Sequence, residues 1–101
     1  MTEQEYNTLV EDEMSQIYDD LTEKYGEEVD IEKGDGIMKI ILIDDTQLII
    51  SRQAPVMQIW LAAKHGGYHF SYDEGSKKWR DTKTKEDLMY MINETVDKSF
   101  E

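Results

Sequence analysis

Between Ile37 and Arg80 the chain is a succession of short segments rich in β-branched and aromatic residues, and only a few residues separate one from the next. That spacing constrains the fold more than any other feature. Parallel strands need a crossover of roughly a dozen residues or more, usually a helix, and no connection here is long enough to supply one. The segments must therefore pair as an antiparallel meander. Ile37–Ile43 and Gln47–Arg52 read as strands joined by Asp44-Asp45-Thr46. Ala54-Pro55 interrupts, Gln58–Ala63 resumes, Gly66-Gly67 turns into Tyr68–Tyr72, and Gly75-Ser76 leads to a short strand over Lys78–Arg80. Upstream, Glu28–Glu32 alternates acid and apolar residues, which predicts a half-buried edge strand with Glu28, Asp30 and Glu32 facing outward.

Helical spacing brackets this run. Tyr6, Leu9, Val10, Met14, Ile17, Leu21 and Tyr25 recur at steps of three and four, predicting an amphipathic helix from Glu3 to Tyr25 closed by Gly26. Leu88, Met91, Ile92 and Val96 predict a second helix over Lys85–Lys98, with Thr84 as its N-cap. Each helix has one apolar stripe, so both must cover the same face of the sheet and leave the other face to solvent. The expected fold is α+β, a two-layer sandwich of two helices on an antiparallel sheet of about six strands. With 101 residues and no linker or repeat, it forms a single domain over residues 1–101.

Charge is distributed unevenly. The chain carries 23 acids and 11 bases, a net charge of −12. Residues 1–32 hold twelve of the acids and one base, Lys24, whereas residues 33–101 are close to neutral. On a helical wheel Glu5, Asp12, Glu13, Asp19, Asp20 and Glu23 share an arc of about 120° beside the apolar stripe. Such crowding costs folding energy through like-charge repulsion. A solvated face is one reading of it; a surface for cations or for a basic protein is the other. The overall sign argues against nucleic acid and anionic membrane as partners. No apolar run reaches membrane-spanning length, and the opening MTEQEYN has neither the basic nor the apolar part of a secretory leader. A chain without cysteine suits a reducing cytoplasm and has no thiol nucleophile or thiolate metal site.

Catalytic patterns are missing from the sequence. None of the five serines sits in a GxSxG elbow, no glycine-rich loop opens a helix with Lys-Ser/Thr, and no DxDxDG calcium loop occurs. His65 and His69 are separated by two glycines that break any helix, so they form no helical metal pair and read as structural or surface residues. Carboxylates remain, and oxygen ligands can hold ferrous or ferric iron weakly at several shallow sites. In the strand from Gln58, alternation separates Gln58, Trp60 and Ala62 from Ile59, Leu61 and Ala63. If the aliphatic set meets the helices, Trp60 lies on the open face as an interface anchor. Alternation alone leaves a core position as the alternative.

The stretch Arg52-Gln53-Ala54-Pro55-Val56-Met57-Gln58-Ile59-Trp60-Leu61-Ala62-Ala63-Lys64-His65-Gly66-Gly67-Tyr68-His69-Phe70 closely resembles the signature of frataxins, especially those of bacteria. The likeness extends to the acidic first helix and strand, to Lys78-Trp79-Arg80-Asp81 and to the closing helix. The resemblance implies an iron-binding acidic ridge, here Asp19, Asp20, Glu23, Glu28, Asp30 and Glu32, although Tyr18 and Thr22 stand where relatives often carry acids. It also implies a partner-binding surface at Ser51, Arg52, Gln53, Gln58 and Trp60, with Ser51 in place of the usual asparagine. The implied role is regulation of iron–sulfur cluster assembly by binding a cysteine desulfurase, and sometimes its scaffold, with weakly bound iron and no organic cofactor. Whether iron drives oligomers of an otherwise monomeric chain stays open. Two other readings are a carboxylate ferroxidase, which lacks the usual Glu-x-x-His, and an acidic docking module without a metal role.

Overall fold

The computed structural model describes residues 1–101. Helix α1 spans Glu3–Tyr25. Its first turn is fixed by a capping box in which the Glu5 amide donates to the Thr2 hydroxyl and the Thr2 amide donates to the Glu5 carboxylate. It ends at Gly26, whose φ of +57° is a conformation that glycine adopts without strain. A short 3₁₀ turn, Gly26–Glu28, follows. Six strands then run in sequence: β1 Asp30–Gly34, β2 Ile37–Ile41, β3 Gln47–Gln53, β4 Gln58–Ala63, β5 Gly66–Asp73 and β6 Lys78–Asp81. Helix α2, Leu88–Ser99, closes the chain. The strands lie side by side in chain order and every pair is antiparallel, as the short connections require.

Both helices lie on one face of the sheet. The core between the layers is a cluster of 18 buried apolar residues. Tyr6, Val10, Met14, Ile17 and Leu21 come from α1 and Leu88, Ile92 and Val96 from α2. Met38, Ile40, Leu48, Ile50, Ile59, Leu61, Phe70 and Trp79 rise from the sheet to meet them. Tyr6 also fastens α1 to the sheet. Its hydroxyl donates to the Gln58 carbonyl at 2.6 Å and accepts the Gln53 amide at 3.1 Å.

Among the boundaries that differ from the sequence reading, three have a clear physical cause. Glu28 belongs to the 3₁₀ turn rather than to β1, because Val29 must first drop into the core, where it is buried, before the chain extends. Gly66 and Gly67 pair with Ala63 and Ala62, so they open β5 and do not form the turn. Helix α2 begins at Leu88, and its N-cap is Asp87, not Thr84. The reason is Asp81. Its nearly buried carboxylate accepts the amides of Lys83 and Thr84 at 2.7 and 3.0 Å, holding the segment after β6 as a loop. Lys85 then takes a left-handed φ of +69°, which no helix interior allows.

The two helices meet along the edge of the acidic arc. Glu13 is half-buried there, and burial together with the nearby Asp87 carboxylate raises its pKa to about 7. A carboxyl raised in the folded state stabilises the fold below its unfolded pKa, near 4.5, and loses that contribution as pH climbs through about 7. Discounted for its remaining solvent contact, charging Glu13 costs about 1–2 kcal/mol. Glu13→Gln is therefore expected to raise unfolding free energy by that amount at pH 8 and to make no difference at pH 4. Urea unfolding at both pH values checks it; an equal gain at the two pH values would contradict the assignment.

Candidate functional site on the open sheet face

The face of the sheet away from the helices carries the residues of the signature stretch. Antiparallel register sets Trp60 between Ser51 of β3 and His69 of β5, and sets Gln58 between Gln53 and Ser71. These side chains are mutually fixed. The Trp60 indole stacks on the His69 imidazole, with centroids 4.3 Å apart and planes inclined by 10°. Its Nε1 donates to Gln58 Oε1 at 2.8 Å, Gln58 Nε2 reaches Ser71 Oγ at 3.5 Å, and Gln53 Nε2 donates to Ser51 Oγ at 3.1 Å. Trp60 is half-buried by these neighbours, with the rest of its surface toward solvent. An amphipathic ring held in one orientation loses little entropy when a partner covers it, which suits an interface anchor. Ile37, cross-strand from Ser51, is 45% exposed and extends the apolar surface.

Arg52 does not join this group. Period two turns it to the helix side, where its guanidinium lies 3.6 Å from Asp35 and 4.0 Å from Glu11. It packs over the β1–β2 turn so closely that a Cβ on Gly36 would lie 3.0 Å from Arg52 Nε. The left-handed φ of +70° at Gly36 adds to that requirement for glycine. Arg52 ties α1 to the turn, and Ser51, Gln53, Gln58 and Trp60 are left as the open-face set.

The acidic residues divide by location. Asp19 and Glu23 are exposed on α1, and Glu28 is exposed on the 3₁₀ turn. Asp30 and Glu32 project from β1 toward the open face, because Ile31 between them pairs with buried Ile40. Asp20 instead turns toward α2. It accepts from Asn93 Nδ2 at 2.9 Å and lies 3.8 Å from Lys24, whose ammonium donates to Asn93 Oδ1 at 2.9 Å. Beside this clamp Tyr25 donates to the Asp97 carboxylate and stacks on Phe100. Burial and that carboxylate push the Tyr25 pKa up to about 12. Lys33 of β1 places its ammonium 4.8 Å from the centre of the Tyr18 ring on α1, a cation–π contact that sets one positive charge within the acidic strip.

No group of three or more carboxylates or imidazoles converges to hold a metal ion. The carboxylate oxygens are hard, anionic and exposed and do not converge, so a hard cation there would keep most of its water and touch one or two carboxylates. Of the sequence-derived ridge residues, Asp19, Glu23, Glu28, Asp30 and Glu32 are free to act so, while Asp20 is committed to the helix–helix contact. The sequence reading leaves His69 as a structural or surface residue; its role as the stacking partner of Trp60 needs the β4–β5 register, which the turn residues alone do not settle.

Known proteins share this architecture and sequence. The frataxin-like domain family matches residues 1–101. The chain is 41% identical over 96 residues to the iron-sulfur cluster assembly protein CyaY of Pseudomonas fluorescens (strain SBW25), covering 95% of this chain and 86% of that one. It is 40% identical over 93 residues to the protein of the same name in Pseudomonas paraeruginosa (strain DSM 24068 / PA7), covering 92% and 85%. Among solved structures, the frataxin of Psychromonas ingrahamii superposes with a TM-score of 0.83 at 28% identity, covering 97% of this chain and 90% of the other. A trimeric frataxin of Saccharomyces cerevisiae in a ferrous complex gives 0.75 at 25% identity, covering 90% and 84%. The family match over the whole length, the two-layer fold and the signature strands together place this chain in the frataxin family.

Proposed function

We propose that this chain takes part in iron–sulfur cluster assembly as a non-enzymatic regulator, docking on a cysteine desulfurase through its open sheet face and holding iron weakly on the acidic strip. The observation that carries this reading is Trp60: a half-exposed tryptophan pinned by His69 and Gln58 on the open sheet face. Relatives about 40% identical are named for the assembly of iron–sulfur clusters, which supports the same process here. Asp30 and Glu32 lie on the sheet face that carries Trp60, so attraction to a basic partner and contact with it act from one side of the molecule. The charges speed encounter and set its salt dependence; the aromatic contact slows departure. Iron held by separated, solvent-exposed carboxylates is easily released, which suits a regulator better than a store.

Iron binding is tested separately from docking. Anaerobic titration of ferrous iron into the ¹⁵N-labelled protein is expected to broaden amides of residues 19–32, with weak affinity that falls further as salt is added. Glu28→Gln with Asp30→Asn and Glu32→Gln should remove most of that response. A single tight site at His65 and His69, indifferent to salt, would contradict the proposed ridge.

A further inference from the structure

An apolar-floored hollow lies beneath the last turns of α2. It has a volume of about 280 Å³ and opens between that helix and the β2–β3 and β4–β5 connections. Leu42, Leu48, Leu61 and Met91 supply its apolar floor and wall. This volume is close to the lower end of the range, roughly 300–1,000 Å³, used by small-molecule sites. The charge at its mouth runs against that of the chain. Two lysines, Lys64 and Lys98, line it against one carboxylate, Asp44, in a protein of net charge −12.

The engagements of these groups single out one cation. Lys98 is held by Glu94 at 2.8 Å, and the Asp44 carboxylate accepts both the amide and the hydroxyl of Thr46 at 3.1 and 2.6 Å. Lys64 takes part in none of the chain's five ion pairs. Half-buried Tyr68 lines the same hollow and brings a phenolic hydroxyl. The hydroxyl protons of Thr95 and Ser99 are turned into the helix, toward the carbonyls of Met91 and Val96, so these residues present oxygen but no donor. The chemistry of the hollow is thus an apolar floor with the Lys64 ammonium at its edge, outside any ion pair but near the Asp44 carboxylate, whose pKa the Thr46 hydrogen bonds and, more weakly, Lys64 lower.

We propose that this hollow is a binding site for a small monocarboxylate with an apolar body, its carboxylate on Lys64 and its body over Leu42, Leu61 and Met91. A fully charged polyanion does not suit it, because Glu94 holds Lys98 and the Asp44 carboxylate stands near Lys64. The site is independent of the docking face, since its floor belongs to the helix side of the sheet.

The test uses 4-phenylbutyrate and its uncharged amide as probes, titrated into the ¹⁵N-labelled protein. Saturable shifts are expected at Leu42, Thr46, Lys64–Tyr68, Met91 and Thr95, with the acid binding about tenfold more tightly than the amide, as one charge-assisted contact predicts. Lys64→Gln, a surface change, should abolish that difference and leave the amide's affinity unaltered. Thr95→Leu, which fills the hollow, should weaken both probes. Equal affinity for acid and amide would overturn the carboxylate assignment. Shifts centred on Trp60 and His69, or no saturable shift, would overturn the site itself.

Discussion

Replacing Trp79 by alanine is expected to cost about 3–5 kcal/mol of folding stability, a large part of what a domain of this size possesses. Trp79 is 1% exposed and lies on the helix face of β6. Tyr6 meets its ring edge-on at 6.0 Å and Tyr72 at 5.4 Å, so it joins α1 to the last two strands. Removing it leaves a cavity that these rings cannot close without dragging Tyr6 from its hydrogen bonds to β3 and β4. Tyr6 already illustrates that environment, since burial raises its own pKa. Denaturant unfolding of Trp79→Ala checks the expectation. A loss below about 1 kcal/mol would mean that the core does not close around this residue.

The second tryptophan is expected to behave in the opposite way. Trp60→Ala forfeits the stack on His69 and the hydrogen bond to Gln58 but opens no interior cavity, so its effect on folding is about 1–2 kcal/mol. Its effect on binding is larger. If the proposed docking holds, loss of this aromatic anchor is expected to weaken affinity for a cysteine desulfurase by about 2 kcal/mol or more, roughly thirtyfold, mostly through faster dissociation. Melting and binding kinetics measured on the same variant separate the two effects. A folded Trp60→Ala protein with unchanged dissociation would remove the tryptophan from the interface.

The outward placement of Trp60 was legible in the sequence as one of two alternatives, through the period two of β4. Ile59, Leu61 and Ala63 could all face a core only if Trp60 faced away, and the register confirms that placement. Arg52 obeys the same alternation: adjacent to Ser51 in sequence, it lies on the opposite face. The family signature runs along the chain and so spans both faces, which is why it gathered residues that the sheet separates. Helix α1 was legible to the residue because its apolar stripe is long and Gly26 ends it sharply. The start of α2 was not, since the Asp81 carboxylate reaches forward to two amides and delays the helix by a turn.

Long-range pairs were beyond local reading. Asp20 shares a wheel arc with Asp19 and Glu23, yet Asn93, 73 residues further along the chain, withdraws it from the strip. Glu13 likewise faces Asp87 only once α2 has docked. Lys33 over Tyr18 joins a strand to a helix across a turn of undetermined angle, and no spacing rule foretells it. Local periodicity finds faces; packing decides which members of a face remain available.

The central claim, that the open sheet face is the docking surface, is tested most directly by mapping the ¹⁵N-labelled protein against an unlabelled, purified cysteine desulfurase. The account predicts selective broadening of the Trp60 indole signal and of the amides of Ser51, Gln53, Gln58 and His69, with Asp30 and Glu32 affected at low salt and progressively less as salt is added. Broadening confined to the outer surface of α2, with the Trp60 indole unmoved, would contradict it.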